Sequence, residues 1–167
     1  MITAKIAQSI ESSVLCWLAT VAPDGSPNVS PKEVFMHDGN GKIIVAHIAS
    51  LQTVRNIENN PRVCLSFVNV FTQKGHKVRG TATILRASHE RYPQQKANLA
   101  QLVGDTFPIL AVIEVEPTKV EEIIAPSYRM FPNTTTNKMV QQALATYNVT
   151  EYQNDGQDNS NLDGEAR

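Results

Sequence analysis

The residues best placed to do chemistry lie at the start of one short helical pattern. The run Ser50 to Asn59 reads SLQTVRNIEN, with Leu51, Val54 and Ile57 on a shared helical face. The first turn of a helix offers unpaired backbone N–H groups and the positive end of the helix dipole. Ser50 and Thr53, three residues apart, put two hydroxyls on the same side of that end, and Gln52 adds an amide donor. The chemistry this set offers is phosphate binding. The plainer alternative is a Ser50 cap with Thr53 bonding inside its own helix, and local sequence alone favours it, because hydroxyl caps are common.

A second group is Ser30-Pro31-Lys32-Glu33, inside a run that otherwise patterns as a strand. Pro31 cannot donate to a ladder, so the segment is an edge, a bulge or a rim. A bulge re-aims side chains toward a site; an edge carries charges that block aggregation. Before any wider context the edge is somewhat favoured. His37, His47, His76 and His89 are scattered without metal-ligand spacing, so no metal site is expected. His47 ends an apolar run directly before the Ser50 helix and is expected to be partly buried. Cys16 and Cys64 sit in apolar strands without C-x-x-C spacing and read as core residues, not nucleophiles. The basic stretch Gly75 to Gly80 (GHKVRG) reads as a solvated strand face, or as charge offered to an anion. Tyr128 and Phe131, in a Pro-bounded loop, would cover a flat ligand, meet a partner subunit or plug a barrel end. No G-x-G-x-x-G, Walker, G-x-S-x-G or H-E-x-x-H pattern occurs.

The elements that must position these groups are mostly strands. Runs at 14–21, 28–36, 42–48, 62–70, 75–86 and 109–116, the last continuing through 120–124, pattern as β. Helical patterns cover 2–12, 50–59, 94–103 and 134–147. Asp24-Gly25 and Gly39-Asn40-Gly41 mark turns. Six or seven strands with a helix inserted after the third imply a mainly β (α+β) chain: a six- to seven-stranded antiparallel split barrel with peripheral helices. One domain is expected over residues 1–150. The remaining 151–167 form a polar tail, expected to be disordered for want of apolar side chains. With 167 residues, 15 Lys+Arg and 16 Asp+Glu, the chain is neither a basic nucleic-acid binder nor a basic membrane-surface protein. No apolar run approaches the ~18 residues of a membrane helix and no leader pattern opens the chain. A soluble, cytoplasmic domain is the expectation.

Leu18-Ala19-Thr20, then Asp24-Gly25-Ser26-Pro27-Asn28-Val29, then Pro31-Lys32 resemble the opening of the FMN-binding split β-barrel family, the pyridoxamine 5′-phosphate oxidase-like and flavoredoxin-like proteins. Ser50-x-x-Thr53-x-x-Asn56-Ile57, Asn60-Pro61-x-Val63 and Gly80-Thr81-Ala82 follow in order, so the resemblance spans roughly residues 5–117. It implies a homodimer with FMN held at the subunit interface. It implies that Ser30, Pro31, Lys32 and Glu33 approach the flavin ring, and that the backbone of Ala46, His47 and Ile48 contacts its pyrimidine edge. It implies that Ser50, Gln52 and Thr53 hold the phosphate, with Lys32 a nearby cation. In many relatives a lysine stands where this chain has Gln52. Lys32, Lys77, Arg79 or a partner-subunit residue would have to replace that charge. The substrate-binding Arg/His pattern of authentic pyridoxamine phosphate oxidases is not matched. The function implied is an FMN-dependent oxidoreductase with no catalytic side chain, exchanging electrons with a small molecule such as a nicotinamide nucleotide. The alternative is a non-enzymatic binding or sensor module on the same barrel, holding FMN or another ligand; a deazaflavin or haem is a third possibility.

Overall fold

The computed structural model describes residues 2–103 and 107–150. The expected tail over 151–167 lies outside them. The chain runs α1 (Ala4–Glu11), β1 (Cys16–Val21), β2 (Pro27–Lys32), β3 (Phe35–His37), β4 (Ile43–His47), α2 (Leu51–Asn59), β5 (Arg62–Asn69), β6 (Lys74–Leu85), α3 (Tyr92–Val103), β7 (Ala111–Ile124), α4 (Ser127–Met130) and α5 (Thr136–Tyr147).

Seven strands form one antiparallel sheet in the order β2-β1-β5-β6-β7-β4-β3. Its two edges, β2 and β3, are consecutive in sequence and separated only by Glu33 and Val34. A sheet whose opposite edges are joined by two residues has to curl until they meet, and that makes the half-barrel. The single strand expected over 28–36 is therefore two strands. The chain bends at Glu33-Val34, just after Pro31, and Val34 still ties down the corner by accepting the Ala46 N–H at 2.9 Å. β7 runs unbroken through Pro117, and its pairing with β6 shifts register between Arg79 and Gly80, where the proline has no N–H to give.

Strand alternation sorts the core into two faces. Cys16, Leu18, Phe35, Ile43, Val45, Leu65, Phe67, Val78, Ile113 and Val115 fill the barrel, joined by Ile6 and Ile10 of α1 and Ile57 of α2. Ile44, Ala46, Leu85 and Val112 point the other way and pack under Leu99 of α3. A buried carboxylate pins that helix: Glu114 accepts from Lys42 and from Arg91, both at 2.8 Å. Thr135 caps α5 by accepting the Lys138 N–H at 3.2 Å.

Candidate functional site

The site forms where the barrel edge meets the start of α2. Lys32 ends β2 opposite Cys16 of β1 and shares the inward row with Ser30 and Asn28. That row faces the barrel, so the ammonium is carried inside: Lys32 is only 5% exposed. The exposed, charge-decorated edge fits Glu33 at the bend but not Lys32. Lys32 Nζ donates to Ser30 Oγ at 2.8 Å and to Ser50 Oγ, and the two hydroxyls stand 3.3 Å apart. Among the described residues no carboxylate lies within 4.0 Å of this ammonium. A buried charge is costly unless something pairs with it. Hydroxyls alone leave its charge unbalanced, so the pocket is ready for an anion.

Ser50 occupies the N-cap position of α2, yet its side chain makes no capping bond; Lys32 has taken the hydroxyl. Leu51 N–H bonds to Ala49 O and Val54 N–H to Ser50 O. Among the described residues no acceptor meets the amides of Gln52 and Thr53. The simple cap reading therefore fails at the side chain, and two helix-end donors remain free beside a buried ammonium.

Thr53 is buried at the start of the helix. Gln52 turns along α2, where its Nε2 donates to Asn56 Oδ1 at 2.7 Å, so its amide is already engaged. Pro31 pairs with Trp17 on the outer face, away from the pocket. Ala46 points under α3, with Ile48 packed against the same cluster. The Ala46 N–H and the His47 C=O are taken by Val34 O and Leu110 N, so these two groups are not free for a ligand. The His47 ring is another matter. It continues the inward row of Ile43 and Val45, is 5% exposed, and its buried Nδ1 has no partner among the described residues. Burial, together with the charges of Lys32 and Arg86, holds the imidazole below its ordinary proton affinity. Ser30, Lys32 and Ser50 are thus brought together directly, with Thr53 and His47 on the segments that flank them.

Four residues of this end were given no role from the sequence, although Thr20, Asn28 and Asn56 stand in the motifs that carry the resemblance. Thr20 Oγ1 accepts from Asn56 Nδ2 at 2.9 Å and from Asn28 Nδ2 at 3.1 Å, a buried polar brace between β1, β2 and α2. Their sequence signal was their place in those ordered motifs, with polar Asn56 beside apolar Ile57, three residues after Thr53. Arg86, which ion-pairs with Glu58 of α2, arrives from the end of β6 and only the fold brings it near. The cations offered as replacements for the missing lysine are committed elsewhere: Lys77 and Arg79 each reach Glu121 at 3.5 Å. Tyr128 braces the β5–β6 turn, donating to Thr72 O at 2.8 Å beneath Lys74, while Phe131 stays exposed. Burial pushes the Cys16 thiol up to about 12 and raises Cys64 as well, so both are inert. Among the described residues no cluster of His, Cys, Asp or Glu fits a metal ion, and no helix is long and apolar enough to cross a membrane.

A curled antiparallel sheet with a buried lysine set between a barrel edge and an uncapped helix N-terminus defines a small split-barrel protein. Residues 2–124 match the pyridoxamine 5′-phosphate oxidase family, and the chain belongs to that family. Among solved structures it is similar to HupZ of Group A Streptococcus, with 27% identity over 73% of this chain and 94% of that one, at a TM-score of 0.64. It is also similar to an FMN-binding protein from Syntrophomonas wolfei subsp. wolfei (17% identity; 72% and 85% of the chains; TM-score 0.62). The third is the heme storage protein HutZ of Vibrio cholerae (19%; 72% and 93%; TM-score 0.60). The last two likenesses are at the level of fold. No curated protein sequence matches the chain.

The residues present fit the phosphate of a flavin mononucleotide. A buried ammonium, two free amides and the hydroxyls of Ser50 and Ser30 are the donor set a phosphate takes.

Proposed function

We propose that this chain is an FMN-binding flavoprotein, an oxidoreductase of its family, and that two copies enclose the flavin. The observation that carries the reading is Lys32, a buried ammonium held by hydroxyls, with no carboxylate beside it among the described residues, facing an uncapped helix end. FMN, when bound, supplies the electron transfer itself. The protein's part is to hold the phosphate through Lys32, Ser50 and the Gln52 and Thr53 amides, and so to fix where the ring lies. No acid or base need act, and no side chain is assigned a proton transfer.

Purified protein titrated with FMN is expected to bind one flavin per chain with a perturbed flavin absorption band. Replacing Ser50 by Ala together with Thr53 by Val, which keeps the buried volume, should weaken that binding by about 1–3 kcal/mol. No saturable FMN binding by the unaltered protein sinks the flavin reading, and the spectrum of any co-purified chromophore separates flavin, deazaflavin and tetrapyrrole.

Support for a homodimer comes from the outer face of β1, β2 and β5. Trp17 is 45% exposed and Val14 86%. Both line an apolar cavity of about 540 Å³ with Leu15, Val68, Val70 and Phe71. Val29 extends the same outer face. Apolar surface gathered in this way marks an interaction face. Sedimentation at micromolar concentration should give twice the chain mass, and the monomer mass would count against an interface-built site.

A second reading keeps the barrel and the ligand but not the enzymatic role. Gln52 is bonded within its own helix and brings no charge to the phosphate, which favours an exchangeable ligand over a permanent cofactor. Reduction of the bound flavin by a nicotinamide nucleotide separates the two: the enzyme is reduced at turnover rates, and the binding module is not.

A further inference from the structure

His47 is the last residue of β4, three positions before the N-cap of α2. Its ring lies in the inward row, nine-tenths or more buried, and Nδ1 has no partner among the described residues. The charges bearing on it are Lys32 from β2 and Arg86 from the end of β6. Arg86 is itself ion-paired to Glu58 of α2. β7 brings only apolar Ala111 and Val112 alongside, with Leu110 N–H bonded to the His47 carbonyl. A buried imidazole between two cations is a poor place for a third positive charge. A phosphate dianion entering the same cradle reverses the sign of the local field.

We propose that His47 is the proton-linked member of the phosphate cradle: its imidazole is neutral while the cradle holds no anion and takes up a proton when a phosphate dianion enters. This rests on the flavin reading above. It gives His47 the role the lysine of many relatives would fill, a positive charge supplied only when the ligand brings the negative one. The proton comes from solvent, no bond is made or broken, and His47 is a positioning residue, not a catalytic one. The pH dependence follows from the direction of the change. The imidazole binds its proton more weakly than usual in the free protein, because of burial first and then Lys32 and Arg86. It binds the proton more tightly in the complex. His47 therefore makes FMN binding stronger as pH falls from above its value in the complex to below its lowered value in the free protein, against the phosphate's own second ionisation near ~6, which acts in the opposite sense.

The test is calorimetric titration of the full chain with FMN near neutral pH, in buffers of different ionisation enthalpy, for the wild type and for His47→Gln. Per FMN bound, the wild type should take up more protons than His47→Gln does, by about 0.3 or more. The ratio of wild-type to His47→Gln affinity should rise severalfold as pH falls from roughly 8 to 6, toward the ceiling of about tenfold that each unit of rise in imidazole proton affinity sets. The difference between the two proteins removes the contributions of Lys32 and of the phosphate. Equal proton uptake and a flat ratio, with FMN bound by both, overturn the role of His47 and leave the flavin reading standing. No FMN binding by the wild type overturns both. Should His47→Gln not fold, the His47 ring proton resonance of the wild type, titrated with and without FMN, decides the matter. A curve displaced to higher pH by FMN supports the proposal, and coincident curves overturn it.

Discussion

Lys32→Met is expected to weaken FMN binding by roughly thirty- to several-hundredfold, about 2–3.5 kcal/mol, and to leave the ligand-free protein at least as stable as before. The two effects separate because the lysine serves the ligand and not the fold. It is buried with no carboxylate beside it among the described residues, so the ligand-free protein bears its desolvation and gains two hydroxyl contacts in return. Methionine keeps the length and apolar volume. Ser30 and Ser50, already 3.3 Å apart, can satisfy each other when the ammonium is gone. A structural lysine behaves in the opposite way: its loss lowers stability and leaves binding alone.

The same lysine sets an alkaline signature. Burial lowers its proton affinity from the ordinary 10.5, with Cys16 pulling weakly the other way. The unfolded chain therefore binds this proton more tightly than the folded one. Ligand-free stability should rise as pH climbs from the lowered folded value toward 10.5, where the buried charge is discharged. Denaturant midpoints of the wild type, taken relative to those of Lys32→Met, should show this rise between neutral pH and about 10.5; the difference sets aside the buried Cys16 thiol, which the unfolded chain ionises first and which lowers the stability of both proteins above about 9. A Lys32→Met protein that is several kcal/mol less stable yet binds FMN normally contradicts the assignment of Lys32 to the anion.

The barrel and its site were not equally legible in the sequence. Alternation and turn chemistry exposed the strands, because Ile43 to His47 or Arg62 to Asn69 carry their burial in side-chain type. One break escaped for a local reason. The bend at Glu33-Val34 has no glycine to mark it and follows from the two sheet edges having to meet. Pro117 marks a break in pattern, yet β7 carries through it on a register shift. At the site, residue types were readable but directions were not. Ser50 looks like a cap in sequence, and only the inward row of β2 reveals that Lys32 takes its hydroxyl. His47 was read for its backbone; strand pairing occupies its carbonyl and leaves the ring as the free group. Arg86 stands 28 residues from its partner Glu58, and no local pattern joins them.

Gly75→Ala is expected to cost about 3–5 kcal/mol, far more than the about 1 kcal/mol expected for Gly25→Ala. Gly25 sits in an Asp-Gly turn at φ +86°, where a side chain is strained, but an added Cβ there meets nothing within 4 Å. Gly75 has an ordinary strand conformation at the base of the β5–β6 hairpin, opposite Val68 on one side and Ile123 on the other. A Cβ on it would lie 1.8 Å from the Phe67 carbonyl oxygen and 2.9 Å from Val68 Cα. Both are backbone atoms, so no rotamer change relieves the contact and β5 must move away from β6. The displaced carbonyl belongs to Phe67, fully buried, its ring 5.5 Å from that of Phe35 and tilted 51° to it in the barrel interior. β5 also carries β1, and β1 carries β2 with Lys32, so the disturbance reaches the strand that bears the ammonium. Urea midpoints of the two variants, read with FMN affinity, test this chain of contacts. Gly75→Ala should lose both stability and FMN binding, whereas Gly25→Ala, confined to its turn, should lose a little of the first and none of the second.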